Sequence, residues 1–152
     1  MEKQNIPQDD WGLGDGISRE LCYALDENGN YTTGLSPGWE PKNIVLIEAW
    51  REIYEKLQII ANQVKENKVS SLLYFMEFNL MTPSILASSV GIPTWKVKLH
   101  FKPFFFKRIS FKLKEKYAKE LGISIEQLSN PDYIATLDIL DEVYKKSGIK
   151  FI

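Results

Sequence analysis

Five bases between positions 93 and 108 are the residues of this chain that most clearly suggest a chemistry. They are Lys96, Lys98, Lys102, Lys107 and Arg108, and Trp95 and four phenylalanines lie among them. The wider segment 92–122 holds nine bases and only two acids. Clustered lysine and arginine side chains bind phosphate groups, so this segment favours a polyanionic partner such as a nucleic acid.

Acidic residues are concentrated at the other end of the chain. Residues 1–40 hold eight acids and two bases, whereas the whole chain has a formal net charge of -1. Opposite charges attract over longer distances at low salt, so the acidic region is a second candidate partner that would neutralise the basic segment. A third interpretation is an ordinary solvated helix surface. The composition favours the polyanionic partner and leaves the other two open.

The sequence carries no pattern typical of catalysis or of a metal site. Cys22 and His100 are the single cysteine and the single histidine, and neither has the companions that a nucleophile or a zinc site needs. The loop "DDWGLGDG" (9–16) lacks the spacing of a dinucleotide-binding or calcium-binding loop. We therefore predict no enzyme activity, no cofactor and no metal, with His100 and Cys22 as packed side chains.

The elements that must position the basic segment are mainly helical, and four regions are expected. "ELCYAL" (20–25) and "YTTGL" (31–35) predict a β-hairpin in an acidic N-terminal region (1–40), with Asn28-Gly29 supplying positive φ angles in the turn. Apolar residues three or four apart predict a long amphipathic helix over 41–67. The hairpin's apolar side chains, with Trp11 and Trp39, are expected to pack on the helices. A bundle of short helices (70–129) and a C-terminal helix (130–152) complete this mainly α fold.

Capping residues divide the chain after position 70 into short helices. Thr82-Pro83 opens one helix that ends at Gly91, and Pro93 and Pro103 bracket the next. The later signals are Ser110 and Gly122 around another helix, a Ser124–Gln127 capping box, and Asn130-Pro131 before a single last helix closed by Gly148. Phe104, Phe105 and Phe106 are expected to be mainly packing residues, with one of them partly exposed.

Within 70–129, apolar and glycine residues recur in a particular order. Leu86-Ala87, Val90-Gly91-Ile92 and Val97 come first, and "LGISIEQL" (121–128) follows. Small Ala87 lets two helices approach closely, and Gly91 permits a tight turn between them. This series resembles the helix-turn-helix domain of Cro-type (XRE-like) repressors. The resemblance implies a DNA-binding transcription regulator, a double-stranded DNA partner and a possible homodimer.

In that family the helix after the turn enters the major groove, which implies that Thr94, Trp95, Lys96 and Lys98 lie near the exposed start of the recognition helix. Lys102, Lys107 and Arg108 complete the candidate nucleic-acid-binding set. Two residues depart from the family pattern: Pro83 stands where a glutamine often holds a phosphate, and Trp95 cannot read base edges through hydrogen bonds. These departures favour the alternative, a protein-interaction or regulatory adaptor on the same scaffold that does not bind DNA.

Three further features bear on where the protein is found. A single cysteine cannot form an intramolecular disulfide, and this favours a reducing compartment. The N-terminus "MEKQNIPQDD" is polar and acidic, without the apolar core of a signal peptide. No stretch approaches the ~18 apolar residues of a membrane span. We therefore expect a cytoplasmic protein with no membrane partner.

Overall fold

A computed structural model describes residues 1–8, 20–36, 38 and 40–147, and for residue 40 only the backbone. The fold is mainly α with one two-stranded antiparallel hairpin near the N-terminus, as the sequence predicts. The chain divides into two compact units. The first comprises Met1–Tyr54 with Leu140–Ile152, and the second comprises Glu55–Ile139.

The first unit contains the predicted hairpin. Strand β1 (Glu20–Leu25) pairs with β2 (Tyr31–Ser36), with Glu20 opposite Ser36 and Leu25 opposite Tyr31. The connection is a three-residue loop, because Asp26 N donates to Asn30 O at 2.9 Å and Gly29 N donates to Asp26 O at 3.0 Å. The Asp26 carboxylate also accepts from Asn28 N and Asn30 N, and these bonds, Asn30's foremost, lower the pKa of Asp26.

The positive φ predicted for the Asn28-Gly29 pair falls on the glycine. Among the described residues Gly29 is the turn position with a positive φ, at 80°, and Asn28 does not share it. A type I turn followed by a left-handed residue needs a positive φ at one position only, and Gly29 supplies it.

Residues 1–8 cover one face of the hairpin. Glu2 bridges to Leu25, Gln8 Nε2 donates to Leu35 O at 3.0 Å, and Ile6 is buried close to Gly34. A Cβ added at Gly34 would lie 2.5 Å from Ile6 Cδ1, so the glycine makes room for this crossing. On the other face, Leu21, Tyr23, Tyr31 and Leu35 are exposed, Tyr31 to 88%.

Those exposed residues contradict the expectation that the hairpin's apolar side chains pack on other elements. Strand side chains alternate between faces, and only the face that holds Ala24 is covered. Cys22 is on the covered face and is half-buried as a free thiol. Trp11 and Trp39, the other members of that prediction, lie outside the described residues, as does the loop 9–16.

The long helix α1 (Glu40–Lys65) is present as predicted, two residues shorter at its end than expected. The division between the two units falls within it, between Tyr54 and Glu55. The burial of its apolar residues differs between the two parts of the helix. Ile44, Val45 and Leu46 are exposed, whereas the second-unit residues Leu57, Ile60, Ala61 and Val64 are buried.

The second unit holds the predicted short helices. They are α2 (Ser71–Phe78), α3 (Pro83–Val90), α4 (Thr94–His100), α5 (Pro103–Lys107), α6 (Phe111–Leu121) and α7 (Ile125–Ser129), and α8 (Pro131–Thr136) follows them in the same unit. The predicted caps are confirmed: Thr82 and Ser110 accept from the amides of Ile85 and Leu113, and Ser124 with Gln127 forms the capping box.

Helices α3 and α6 end in the same motif. Gly91 (φ 73°) and Gly122 (φ 68°) are left-handed, and the next residue donates back five positions, Ile92 N to Ala87 O and Ile123 N to Ala118 O, each at 3.0 Å. After this turn α3 packs on α4 and on α6. Leu86, Ala87, Val90 and Val97 are buried there, and Ile92 is half-buried.

Side chains of other helices satisfy the carbonyl groups at the helix C-termini. Ser70 Oγ donates to His100 O at 2.7 Å, and its amide donates to Phe101 O. The other three bonds are Ser71 Oγ to Leu128 O, Asn79 Nδ2 to Leu121 O at 3.3 Å and Lys116 Nζ to Val90 O at 3.2 Å. The last carbonyls of a helix have no partner within that helix, so these bonds supply one. The bonds from Ser70, Ser71 and Asn79 fix the ends of α4, α7 and α6 against α2, and the bond from Lys116 fixes the end of α3 against α6.

The prediction of one C-terminal helix is wrong. Helix α8 ends at Thr136, Leu137 is extended, and α9 (Ile139–Ser147) begins after Asp138. Thr136 Oγ1 donates to Tyr133 O within its own helix, and Asp138 stands at the N-cap position, which aspartate favours. The closing residue, Gly148, lies outside the described part. Among the described helices, none is both long and apolar enough to cross a membrane.

Candidate nucleic-acid interface

Helix α4 presents one buried side and one exposed side. Val97 and His100, three residues apart, are buried, and Ser70 holds the C-terminal end of the helix. Trp95 and Lys98 share the opposite side, and Trp95 is 62% exposed. Pro93 is the N-cap of α4 and Pro103 is the first residue of α5, so the two prolines limit α4 to seven residues.

The seven predicted DNA-binding residues all lie on α4, on α5 or at the junctions of α5. Thr94 is half-buried at the first position of α4, and Trp95, Lys96 and Lys98 follow it as exposed side chains. Lys102 is the N-cap of α5, Lys107 its last residue and Arg108 its C-cap, all exposed. One short segment of the second unit therefore carries five exposed cations.

None of the nine bases in segment 92–122 has a carboxylate within 4.0 Å among the described residues. Lys116 is held by the Val90 carbonyl, and Lys114 is half-buried, 5.7 Å from the ring centre of Phe106. By contrast, Lys56 pairs with Glu77 at 2.6 Å within the same unit. The cations of α4 and α5 are therefore available to an anionic partner.

His100 is a packed histidine, as predicted. Its Nδ1 lies 2.9 Å from Tyr117 Oη, and the ring is buried between α4 and α6. Burial lowers the pKa of His100, and nearby Lys96 lowers it further. Burial also raises the pKa of the Tyr117 hydroxyl well above its usual range. Both side chains are therefore neutral at pH 7, and one hydrogen bond joins Nδ1 to the Tyr117 hydroxyl.

The prediction that one of the three consecutive phenylalanines is exposed is wrong by one residue, because two of them are. Only Phe106 is buried, whereas Phe104 is 57% exposed and Phe105 is 37% exposed. The short helix α5 can turn only one of three adjacent side chains towards the core. The guanidinium carbon of Arg108 lies 3.5 Å from the ring centre of Phe104, and Lys96 Nζ lies 5.6 Å from that of Trp95.

A groove beside α4 was not predicted. It has a volume of about 400 Å³ and runs between α4, α5 and α6. Leu99 lies on its wall together with Trp95 and Lys96. The spacing of Trp95 and Leu99, four apart and away from buried Val97, was a signal that a second side of this helix is apolar.

The described residues contain no group of three or more side chains suited to holding a metal ion. Comparison with protein-family models, with curated proteins and with solved structures gave no match to this chain.

Proposed function

We propose that residues 70–129 form a Cro-type helix-turn-helix domain and that this protein is a DNA-binding transcription regulator. The observation that carries the proposal is the set of five exposed cations on α4 and α5, none of which forms an ion pair within the described residues. The opposite side of α4 is buried. The order Leu86-Ala87, Gly91, Val97 supports it through the close packing of α3 and α4. In this proposal the protein is cytoplasmic and acts as a homodimer.

The roles of the residues follow from their chemistry. Lys96, Lys98, Lys102, Lys107 and Arg108 would contact phosphates, which gives affinity with little choice of sequence. Thr94 can donate to or accept from a base edge, and Trp95 can touch a thymine methyl or a sugar with its ring. Sequence preference would therefore come from the start of α4, and affinity from α4 and α5 together.

The test is a titration of random-sequence duplex DNA, followed by fluorescence anisotropy at two salt concentrations. Five engaged cations predict that log K falls against log salt with a slope of up to about -4.5. The variant K96E/K98E reverses two of the five charges, and we expect it to weaken binding at least tenfold. Circular dichroism establishes that the variant retains its helix content.

The matched control is K56E/K119E, which makes the same charge change with exposed lysines outside α4 and α5. It replaces the Lys56–Glu77 ion pair, in which Glu77 is half-buried, by two neighbouring acids, so circular dichroism is needed to show that this variant also retains its helix content. Duplex binding close to that of the unaltered protein is expected. Equal weakening by both double variants would show a general charge effect and contradict a localised interface.

The alternative function is a protein-interaction adaptor that does not bind DNA. The exposed rings of Trp95 and Phe104 favour it, because aromatic side chains are enriched at protein interfaces. It predicts no duplex affinity at ~50 mM salt, where electrostatic binding is strongest. That result, with the fold intact, would replace the DNA proposal by the adaptor.

A further inference from the structure

The groove between α4, α5 and α6 has apolar walls. Ile92, Leu99, Phe105, Ile109 and Leu113 line it, and all except Phe105 are half-buried. Its volume of about 400 Å³ is at the small end of the range for ligand pockets, and it is open to solvent rather than enclosed. A site of this size and openness accepts one or two side chains of a longer partner.

The polar groups of the groove are nearly all donors. Lys96 and Arg108 stand at its edge, exposed and without a carboxylate within 4.0 Å in the described part of the chain. His100 also lines it, and because its Nδ1 is held by the Tyr117 hydroxyl, Nε2 is the nitrogen left for an occupant.

These two properties select the occupant. An apolar groove needs an aliphatic or aromatic anchor, and an edge with two cations needs carboxylates on either side of that anchor. A nucleic acid supplies the negative charge without the apolar anchor. We propose that the α4–α6 groove binds an acidic segment of a partner protein through one apolar anchor side chain, with carboxylates on Lys96 and Arg108.

This proposal does not depend on the DNA proposal, but the two surfaces overlap. Trp95, Lys96 and Arg108 belong to both, whereas Lys98 and Lys102 do not line the groove and Leu99 does not belong to the cationic set. A bound acidic segment would therefore cover part of the DNA-binding residues. Peptide and duplex are expected to compete for the protein.

The test uses the full chain and synthetic 12-residue peptides. One set carries a single Leu, Phe or Trp among Asp, Glu, Gly and Ser, a second set has Ser in place of the anchor, and a third has Lys in place of the acids. Fluorescence anisotropy measures binding. We expect the anchored acidic peptides to bind at least tenfold more tightly than either control set.

Variants separate the groove from the cationic set. L99Q and R108E are expected to weaken binding of the anchored acidic peptide at least tenfold, whereas K98E should leave it within twofold. F105S, at a more exposed wall position, serves if L99Q proves less helical by circular dichroism. Duplex binding measured on the same proteins should fall in K98E and remain in L99Q, so each proposal can fail without the other.

Two results would overturn the proposal. The first is that acidic peptides bind equally well with and without the anchor, which would leave only attraction to a basic surface. The second is that K98E weakens peptide binding as much as L99Q and R108E do, which would place the peptide outside the groove.

Discussion

The hairpin of the first unit and the α2–α7 cluster of the second differ in which side chains they bury and which charges they pair. The cluster buries Leu72, Leu86, Val97, Tyr117 and Leu128 to at least 99%, and none of its bases has a carboxylate within 4.0 Å among the described residues. The hairpin exposes Leu21, Tyr23, Tyr31 and Leu35 and keeps Glu20 in an ion pair with Lys42. The cluster is therefore held by its core, and the hairpin by its backbone bonds, its turn and the cover that residues 1–8 give to one of its faces.

The largest expected effect comes from a leucine substituted in each region. Leu86→Ala removes a fully buried side chain and should lower the free energy of unfolding by about 2–5 kcal/mol. Leu35→Ala removes one that is 53% exposed and should change it by about 0.5 kcal/mol or less. Urea unfolding followed by the helical circular dichroism signal measures both. Similar losses for the two variants would mean that the outer hairpin face is covered in solution.

A smaller effect is expected from two of the left-handed glycines, Gly29 in the hairpin and Gly122 in the cluster. An added Cβ would meet nothing within 4 Å at Gly29 or at Gly122, so alanine there costs backbone strain alone, about 1–2 kcal/mol. Gly122→Ala should appear as a loss of global stability, since it disrupts the end of α6. Gly29→Ala should appear as faster hydrogen exchange at Asn30 and other hairpin amides, without a change in global unfolding.

Asparagine tolerates the left-handed region better than alanine does, so Gly29→Asn should restore slow exchange in the hairpin. If Gly29→Ala lowers global stability as much as Gly122→Ala, the hairpin and the cluster unfold together, and the contrast between them fails.

The smallest effect concerns His100 and pH. The pKa of His100 is lower in the folded chain than its unfolded value of about 6.5. Between these two pKa values the unfolded chain therefore binds a proton that the folded chain does not. Stability should therefore fall as pH falls from 6.5 towards the folded pKa, by at most about 1.4 kcal/mol per pH unit. Urea unfolding at pH 7.5 and pH 5.5 measures it.

His100→Gln provides the control, because glutamine can accept from the Tyr117 hydroxyl but does not titrate. Subtracting its pH dependence removes the contribution of the carboxylates, which titrate lower. An equal dependence in the variant would show that His100 is protonated as readily in the folded chain as in the unfolded one.

The sequence predicts most of the helix and strand boundaries because their signals are local. Thr82, Ser110 and the Ser124–Gln127 box cap helices within three residues, and Gly91 ends one where only a left-handed residue fits. The last helix was predicted as one because its apolar spacing continues through Leu137, although Thr136 and Asp138 bond better outside a helix interior.

The site was predicted less completely because it depends on contacts between distant residues. The resemblance implied an exposed helix start, and Trp95, Lys96 and Lys98 are exposed there, whereas Thr94 is half-buried. Nothing local indicates that Ser70 reaches the His100 carbonyl, that Tyr117 reaches His100 Nδ1, or that three helices leave a groove. The prediction for the three phenylalanines was inexact for a related reason, since composition alone does not say which of three adjacent side chains a short helix turns towards the core.

Because α4 is short, it could contact only a few base pairs of a duplex. Seven residues at 1.5 Å each give a helix of about 10 Å, which matches about three base pairs at 3.4 Å. Three positions distinguish about 64 sequences, so a chance match would occur about once in every 64 base pairs of genome. A regulator that uses this helix would need a second DNA-contacting helix at a fixed spacing, and α4 of a second copy of the chain is the simplest candidate.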